Sequence, residues 1–318
     1  MKKIILSLAV VSMLFSCNKQ EDSITTTDGN TAEIAGKRGC YSDEHLKAQL
    51  AADPTLAQRM EEFELQSARA IANGRIVNGV LEIPVVFNVL YRTTAENISL
   101  AQIQSQIDVL NKDFNAANSD YNTANNPYSS VRANVGIRFV LDQVIRKSTT
   151  KSSWGTKDAM KKSTQGGLNP TSPTTKLNIW ICTIGGGILG YAQFPGGASA
   201  TDGVVLDGKY TGTTGTATAP FNLGRTATHE VGHWMNLRHI WGDATCGSDL
   251  VSDTPVHNAA NYGVPAVGHR STCTGTPLEM YMNYMDYTDD RGMYMFSAGQ
   301  KTRMLAIFAV GGSRASFR

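Results

Sequence analysis

Apolar and polar positions divide the chain into stretches of different character. Ile4 to Phe15 is a mainly apolar run behind the basic Met1-Lys2-Lys3. It is too short to span a bilayer and predicts a signal peptide over residues 1–16. Residues 21–39 are rich in Thr, Gly and Asp without periodicity, which predicts a flexible tether. Leu46, Leu50, Leu56, Met60, Phe63 and Leu65 then recur at near-helical spacing among charges, interrupted by Pro54. This predicts two short amphipathic helices. Beyond Gly74 and Gly79, Val80 to Tyr91 reads as a buried strand. Ser99 opens a helix with Ile103, Ile107, Leu110 and Phe114 on one stripe. Further strands are expected at Val135–Val144, Leu177–Ile184, Ile188–Phe194 and Val204–Leu206. In the second of these, Leu177, Ile179, Ile181 and Thr183 alternate with Trp180 and Cys182. Helix resumes near Thr226 and gives way to an irregular tail. The order of elements is that of an α+β fold.

Composition narrows the function classes. Charged residues make up only 18%, and 30 Gly with many Ser, Thr and Asn take their place, as in exported chains. The net charge of +2 provides no field for nucleic acid or an anionic membrane surface. Five cysteines are too few for a disulfide-built scaffold. Leu14-Phe15-Ser16-Cys17 resembles a bacterial lipobox, so Cys17 would be lipidated and residues 17–39 would form a tether. An ordinary secretory leader with an incidental cysteine is the alternative. Contact with a membrane is expected only through such an anchor, on an exported, outer-membrane or cell-surface protein.

Residues 229–239 read His-Glu-Val-Gly-His-Trp-Met-Asn-Leu-Arg-His. On a helix, His229 and His233 lie one turn apart on one face, which suits two ligands of a tetrahedral Zn²⁺. Glu230 beside them is placed to take a proton from water. His239 lies ~9 Å farther along the axis if the helix continues, and off that face. It reaches the same point only if the helix stops and the chain turns with positive φ. Asn236 stands where that turn must come, and Asn tolerates the left-handed region. Trp234 and Leu237 are expected to anchor the core. His45 is expected at the surface, and His257 and His269 as structural or solvent-facing residues. Alternating carboxylates in Ser248–Pro255 suit Ca²⁺ ligation by Asp249, Asp253 and Thr254, or equally a solvated Asx-turn loop. Cys182, within a strand, is expected to be a buried free thiol.

The extended histidine motif, followed by Asn283-Tyr284-Met285-Asp286-Tyr287, resembles the metzincin zinc endopeptidases, and most closely their pappalysin family. The likeness runs from about Cys40 to Met304. It includes Ile-Pro-Val-Val-Phe-Asn-Val at 83–89, the helix at 103–114, Gly-Tyr-Ala-Gln-Phe-Pro-Gly at 190–196, and residues 283–290. It implies a mixed twisted sheet, a backing helix and an active-site helix at 80–318, preceded by an inhibitory prosegment at 40–79. It implies His229, His233 and His239 as zinc ligands, Glu230 as general base, Tyr287 as oxyanion donor and Met285 as the floor beneath the metal. It implies Cys40 as a fourth zinc ligand in a latent form, a Cys246–Cys273 disulfide and structural calcium. The chain departs from the family at Asn236, where Gly is usual, and at Arg291-Gly292, where a cysteine of a second disulfide is common.

The implied activity is hydrolysis of protein or peptide substrates bound in extended form along Ile188–Phe194. Asp289 and Asp290 would offer a countercharge to a basic residue after the scissile bond, with Arg291 opposing it. Activation is expected by cleavage near Gly74-Arg75-Ile76, releasing the enzyme from its anchor. The competing reading is a catalytically silent zinc-binding surface lipoprotein that captures substrates or adheres. A trypsin-like reading of Arg75-Ile76-Val77-Asn78-Gly79 fails, because no Gly-Asp-Ser-Gly-Gly motif is present.

Overall fold

The computed structural model describes residues 37–72, 80–123 and 125–318. The leader, Cys17 and the Gly74-Arg75-Ile76 stretch lie outside the described residues. The amphipathic segment forms α1 (Ser42–Ala52) and α2 (Leu56–Ala72). Between them Pro54 cannot donate to a helix, and the Asp53 carboxylate accepts from Thr55 N at 3.0 Å. The apolar stripe anchors these helices less than its spacing suggests. Leu56 is buried, but Leu65 is 53% exposed. In α1 the buried side chains are Ser42 and His45.

Strand β1 (Leu81–Tyr91) leads to α3 (Leu100–Phe114), whose N-cap Ser99 accepts from Gln102 N at 3.1 Å. The expected stripe of Ile103, Ile107, Leu110 and Phe114 is buried against the sheet. Next come β2 (Arg132–Ala133), β3 (Ile137–Ser148), β4 (Leu177–Ile181), β5 (Gly190–Ala192) and β6 (Val204–Leu206). Helix α4 (Arg225–Trp234), β7 (Phe296–Ser297) and α5 (Ala298–Ala306) complete the fold.

The main sheet runs β3-β1-β4-β6-β5, with the first four strands parallel and β5 antiparallel to β6. Beta4 is shorter than its alternation suggests and has no polar face. Leu177, Ile179 and Ile181 join the core with α3 and α4, while Trp180 packs on the other face with Leu90, Met160, Tyr191 and Val205. A central parallel strand is covered on both sides, so alternation no longer reports exposure. Edge strand β5 and helix α4 bring the candidate site together.

Candidate active site

Helix α4 ends at Trp234, and the chain turns back through Asn236, where φ is 73°. Asn236 N donates to His233 O at 2.9 Å, and Leu237 N donates to Gly232 O at 2.9 Å. The turn swings His239 back over α4. His233 Nε2 then lies 3.1 Å from both His229 Nε2 and His239 Nε2. Each opposite ring nitrogen has its own acceptor. His229 Nδ1 meets Tyr284 O at 2.7 Å, His233 Nδ1 meets Leu237 O at 2.8 Å, and His239 Nδ1 meets the Asp243 carboxylate. Those acceptors favour the Nδ1–H tautomer and aim three Nε2 lone pairs at one point. Three lone pairs at such range repel unless a cation lies among them, so the donor set fits zinc. Burial, with the neighbouring histidines, lowers the pKa of His233 to about 3 and that of His229 well below its usual value. Both rings are therefore neutral, as ligation requires.

Met285 lies beneath this centre. A Cβ at Gly232 would stand 2.5 Å from Met285 Sδ, so only glycine permits the close packing. Met285 O also accepts from Ile240 N at 3.1 Å, tying the two segments together. Trp234 and Leu237 are fully buried.

Residues 37–42 fill the space above the histidines. Leu189 N donates to Gly39 O at 2.8 Å, and Tyr41 N donates to Gly190 O at 3.1 Å, a parallel pairing on the β5 edge. This places Cys40 Sγ with the three histidines, their ligand atoms all within 4.8 Å of one another. It is the one such group among the described residues. Cys40 Sγ also lies 3.3 Å from Glu230 Oε2. Burial and then Glu230 push the thiol well above its usual pKa; a cation among the histidines would pull it back down. Tyr287 Oη donates to Cys40 O at 3.2 Å. Burial holds that phenol neutral, so it remains a donor.

Glu230 is 1% exposed, and burial raises its pKa to about 7. Ser42 Oγ donates to its Oε2 at 2.8 Å while accepting from Ala192 N at 2.8 Å. Two residues before Cys40, Arg38 enters a second pocket. Its Nη2 meets Asp290 Oδ1 at 2.5 Å, Nη1 donates to Thr226 Oγ1 at 3.1 Å and Nε to Thr288 O at 3.3 Å. The guanidinium lies 4.9 Å from the Phe221 ring centroid. Asp290 is held by Leu223 N at 2.8 Å and Arg225 N at 3.3 Å. Arg291, which seemed to oppose a basic ligand, is exposed.

The sequence reading did not single out Arg38, Ser42, Asp243 or Trp241. Trp241 stacks on His239 with ring centroids 4.4 Å apart. The available signals were the spacing Arg38-x-Cys40-x-Ser42 and an aspartate four residues after His239. His45, expected at the surface, is 5% exposed. Helix α1 lays it 4.9 Å from the Tyr191 ring and 3.3 Å from Asp158 Oδ2. His257 is buried and accepts from Met280 N at 2.9 Å, a structural role, while His269 remains largely exposed.

Calcium gains no support. Asp249 Oδ1 accepts from Val251 N at 3.1 Å, Thr254 Oγ1 lies 2.9 Å from both Asp249 oxygens, and Asp253 accepts from Ser297 Oγ at 2.6 Å and Gly299 N at 2.8 Å. Cys246 and Cys273 form a disulfide with Cα atoms 5.7 Å apart, and Cys182 is a buried free thiol.

Comparison with known proteins agrees with this geometry. The peptidase M43 family model, described as pregnancy-associated plasma protein-A, matches residues 173–309. An extracellular metalloprotease of Pyricularia oryzae is 36% identical over 261 residues, covering 76% of this chain and 81% of that protein. Extracellular metalloprotease 1 of Coccidioides posadasii is 35% identical, covering 72% and 77%. Among solved structures, a mutant of Tannerella forsythia promirolysin superposes with a TM-score of 0.81 at 38% identity, covering 88% of this chain and 97% of that one. Mature mirolysin in complex with a cleaved peptide gives 0.73 at 41% identity, covering 76% and 96%.

Proposed function

Taking as premise that the chain belongs to the pappalysin (peptidase M43) family of zinc metalloproteases, we propose that His229, His233 and His239 hold the catalytic zinc and that residues 40–72 keep it latent. The observation carrying this reading is the convergence of three Nε2 atoms and Cys40 Sγ beside Glu230. Zinc supplies Lewis acidity towards a substrate carbonyl and an attacking water. Glu230 takes the proton from that water and returns it to the leaving amine. Tyr287 donates to the carbonyl oxygen as negative charge develops, as it now donates to Cys40 O. Substrate backbone pairs with the β5 edge that Gly39 and Tyr41 occupy in the latent chain.

Latency follows from three substitutions at the centre. Cys40 sulfur would hold the position that water needs beside the histidines, Ser42 occupies the general base, and Arg38 fills the Asp290 pocket. Severing the stretch before Val80 frees all three, and with them any anchor at Cys17. No observation favours the silent lipoprotein reading.

The Asp290 pocket directs substrate choice. A buried carboxylate that already binds a guanidinium selects arginine on one flank of the scissile bond. Peptide-library cleavage by the processed enzyme is expected to show arginine there, and a zinc chelator to abolish all cleavage. Asp290→Asn lowers kcat/KM for arginine peptides about 30-fold or more, as removal of one member of a buried charge pair does. Selection for acidic or large apolar residues at that position refutes the assignment.

Acid loosens the prosegment. Burial, then Lys161, lowers the pKa of docked His45 from the usual 6.5 to about 4. The docked form therefore binds fewer protons than the free one. Docking is strongest above pH 6.5 and weakens progressively as pH falls from there towards 4. Binding of a synthetic 37–72 peptide to processed enzyme, followed across that window, is expected to weaken. In a His45→Gln peptide that component of the pH dependence disappears. A wild-type peptide whose affinity is flat from pH 6.5 to 4 refutes the assignment.

A further inference from the structure

Helix α2 contacts the turn that joins His233 to His239, and its contact there has the form of a receptor for a carboxylate. Glu64 projects onto Arg303 of α5. Arg303 Nη1 donates to Glu64 Oε2 at 2.9 Å, Nη2 pairs with Oε1, and Asn236 Nδ2 donates to the same Oε1 at 3.0 Å. Arg303 Nε donates to Asn236 O at 2.7 Å, which fixes the guanidinium plane against the turn. Arg303 is 8% exposed and Asn236 6%. Two parallel guanidinium donors and an amide aimed at one carboxylate make a preorganised site. Glycine at 236 would keep the turn but lack the amide donor. Asp249 also feels Arg303, but its oxygens already accept from Thr254 and Val251.

The order of prosegment contacts locates this site relative to the cleft. Arg38 meets Asp290, Cys40 lies at the histidines, Gln49 bonds Gln193 at 2.9 Å, Arg59 bonds Gly196 O at 3.1 Å, and Glu64 meets Arg303. The partners of Gly39, Tyr41, Gln49 and Arg59 are Leu189, Gly190, Gln193 and Gly196 in turn, so Arg38 precedes this run and Glu64 follows it. A substrate that places arginine at Asp290 and follows the same run from Leu189 to Gly196 would be led towards the Arg303 contact.

We infer that Arg303 and Asn236 form a second specificity site, which takes Glu64 in the latent chain and an acidic substrate side chain once residues 40–72 have left. The inference rests on the protease reading and on removal of the prosegment. The enzyme thus selects arginine on one flank of the scissile bond and a carboxylate on the other.

The test uses the processed wild-type enzyme and pairs of arginine-containing peptides differing only as Glu or Gln. The pairs scan successive positions on the flank opposite the arginine. At one position the Glu peptide is expected to be cleaved about tenfold better than its Gln partner, the scale of a hydrogen-bonded charge. The Glu-to-Gln ratio within one preparation is the readout, because Arg303 also braces the turn. That ratio falls to one in Arg303→Gln and falls partway in Asn236→Gly, which keeps the left-handed turn without strain. A ratio of one at every position in wild-type enzyme that cleaves the Gln peptides overturns the proposal; Arg303 is then a latch for Glu64 alone. A wild-type preference that survives both substitutions also overturns it. Failure to cleave any peptide refutes the protease reading and this inference with it.

Discussion

Expressed from residue 18 with Cys40→Ala, the chain is expected to mature early and to show activity before its wild-type counterpart. Among the described residues before Val80, Cys40 Sγ is the atom that groups with the three histidines. Alanine cannot ligate zinc, so water enters and the general base gains its reactant. The remaining anchors persist: Arg38 on Asp290, Ser42 on Glu230 and Glu64 on Arg303. The prosegment therefore docks more weakly rather than falling away, and leakage of activity drives self-processing. A tenfold change in the open fraction needs about 1.4 kcal/mol, less than a zinc–thiolate bond supplies, so processing should quicken by about tenfold or more. Sequencing the N-termini over time, alongside peptide cleavage, reads both effects. If the substitution neither hastens processing nor raises early activity, Cys40 is not the latch.

The parts of the site legible in the sequence were those fixed by local geometry. The spacing of His229, His233 and His239 demanded a turn between helix and third histidine, and φ at Asn236 is 73°. The stripe on α3 and the order of strands followed from periodicity. What stayed hidden depends on contacts between distant segments. Arg38 looked like one more basic residue, because its partner Asp290 lies 252 positions away. His45 looked solvent-facing, because nothing local announces that α1 lies on Tyr191 and Asp158. The paired carboxylates of Ser248–Pro255 suggested calcium, yet Ser297 and Gly299 reach Asp253 from far along the chain. The strand expected at Leu177–Ile184 ends at Ile181, and its two faces pack into different clusters, as a central parallel strand covered on both sides does.

Glu230→Ala is expected to remove proteolysis while leaving the histidine centre intact. The carboxylate is buried at 1% exposure beside the histidines, and its hydrogen bonds come from Ser42 and the Cys40 thiol. Neither the Nδ1 partners of the histidines nor the Asn236 turn involves Glu230. Alanine also relieves the cost of burying an ionisable group, so folding does not suffer. The most direct measurement determines zinc content and turnover of an arginine-containing peptide on the same processed preparations of wild-type and Glu230→Ala protein. Because an alanine variant cannot process itself, its prosegment is removed by an added protease in both samples. The account predicts about one zinc per chain in each and a loss of turnover of about 10²–10⁴-fold or more in the variant. Zinc-loaded Glu230→Ala protein that cleaves the peptide at the wild-type rate would contradict it.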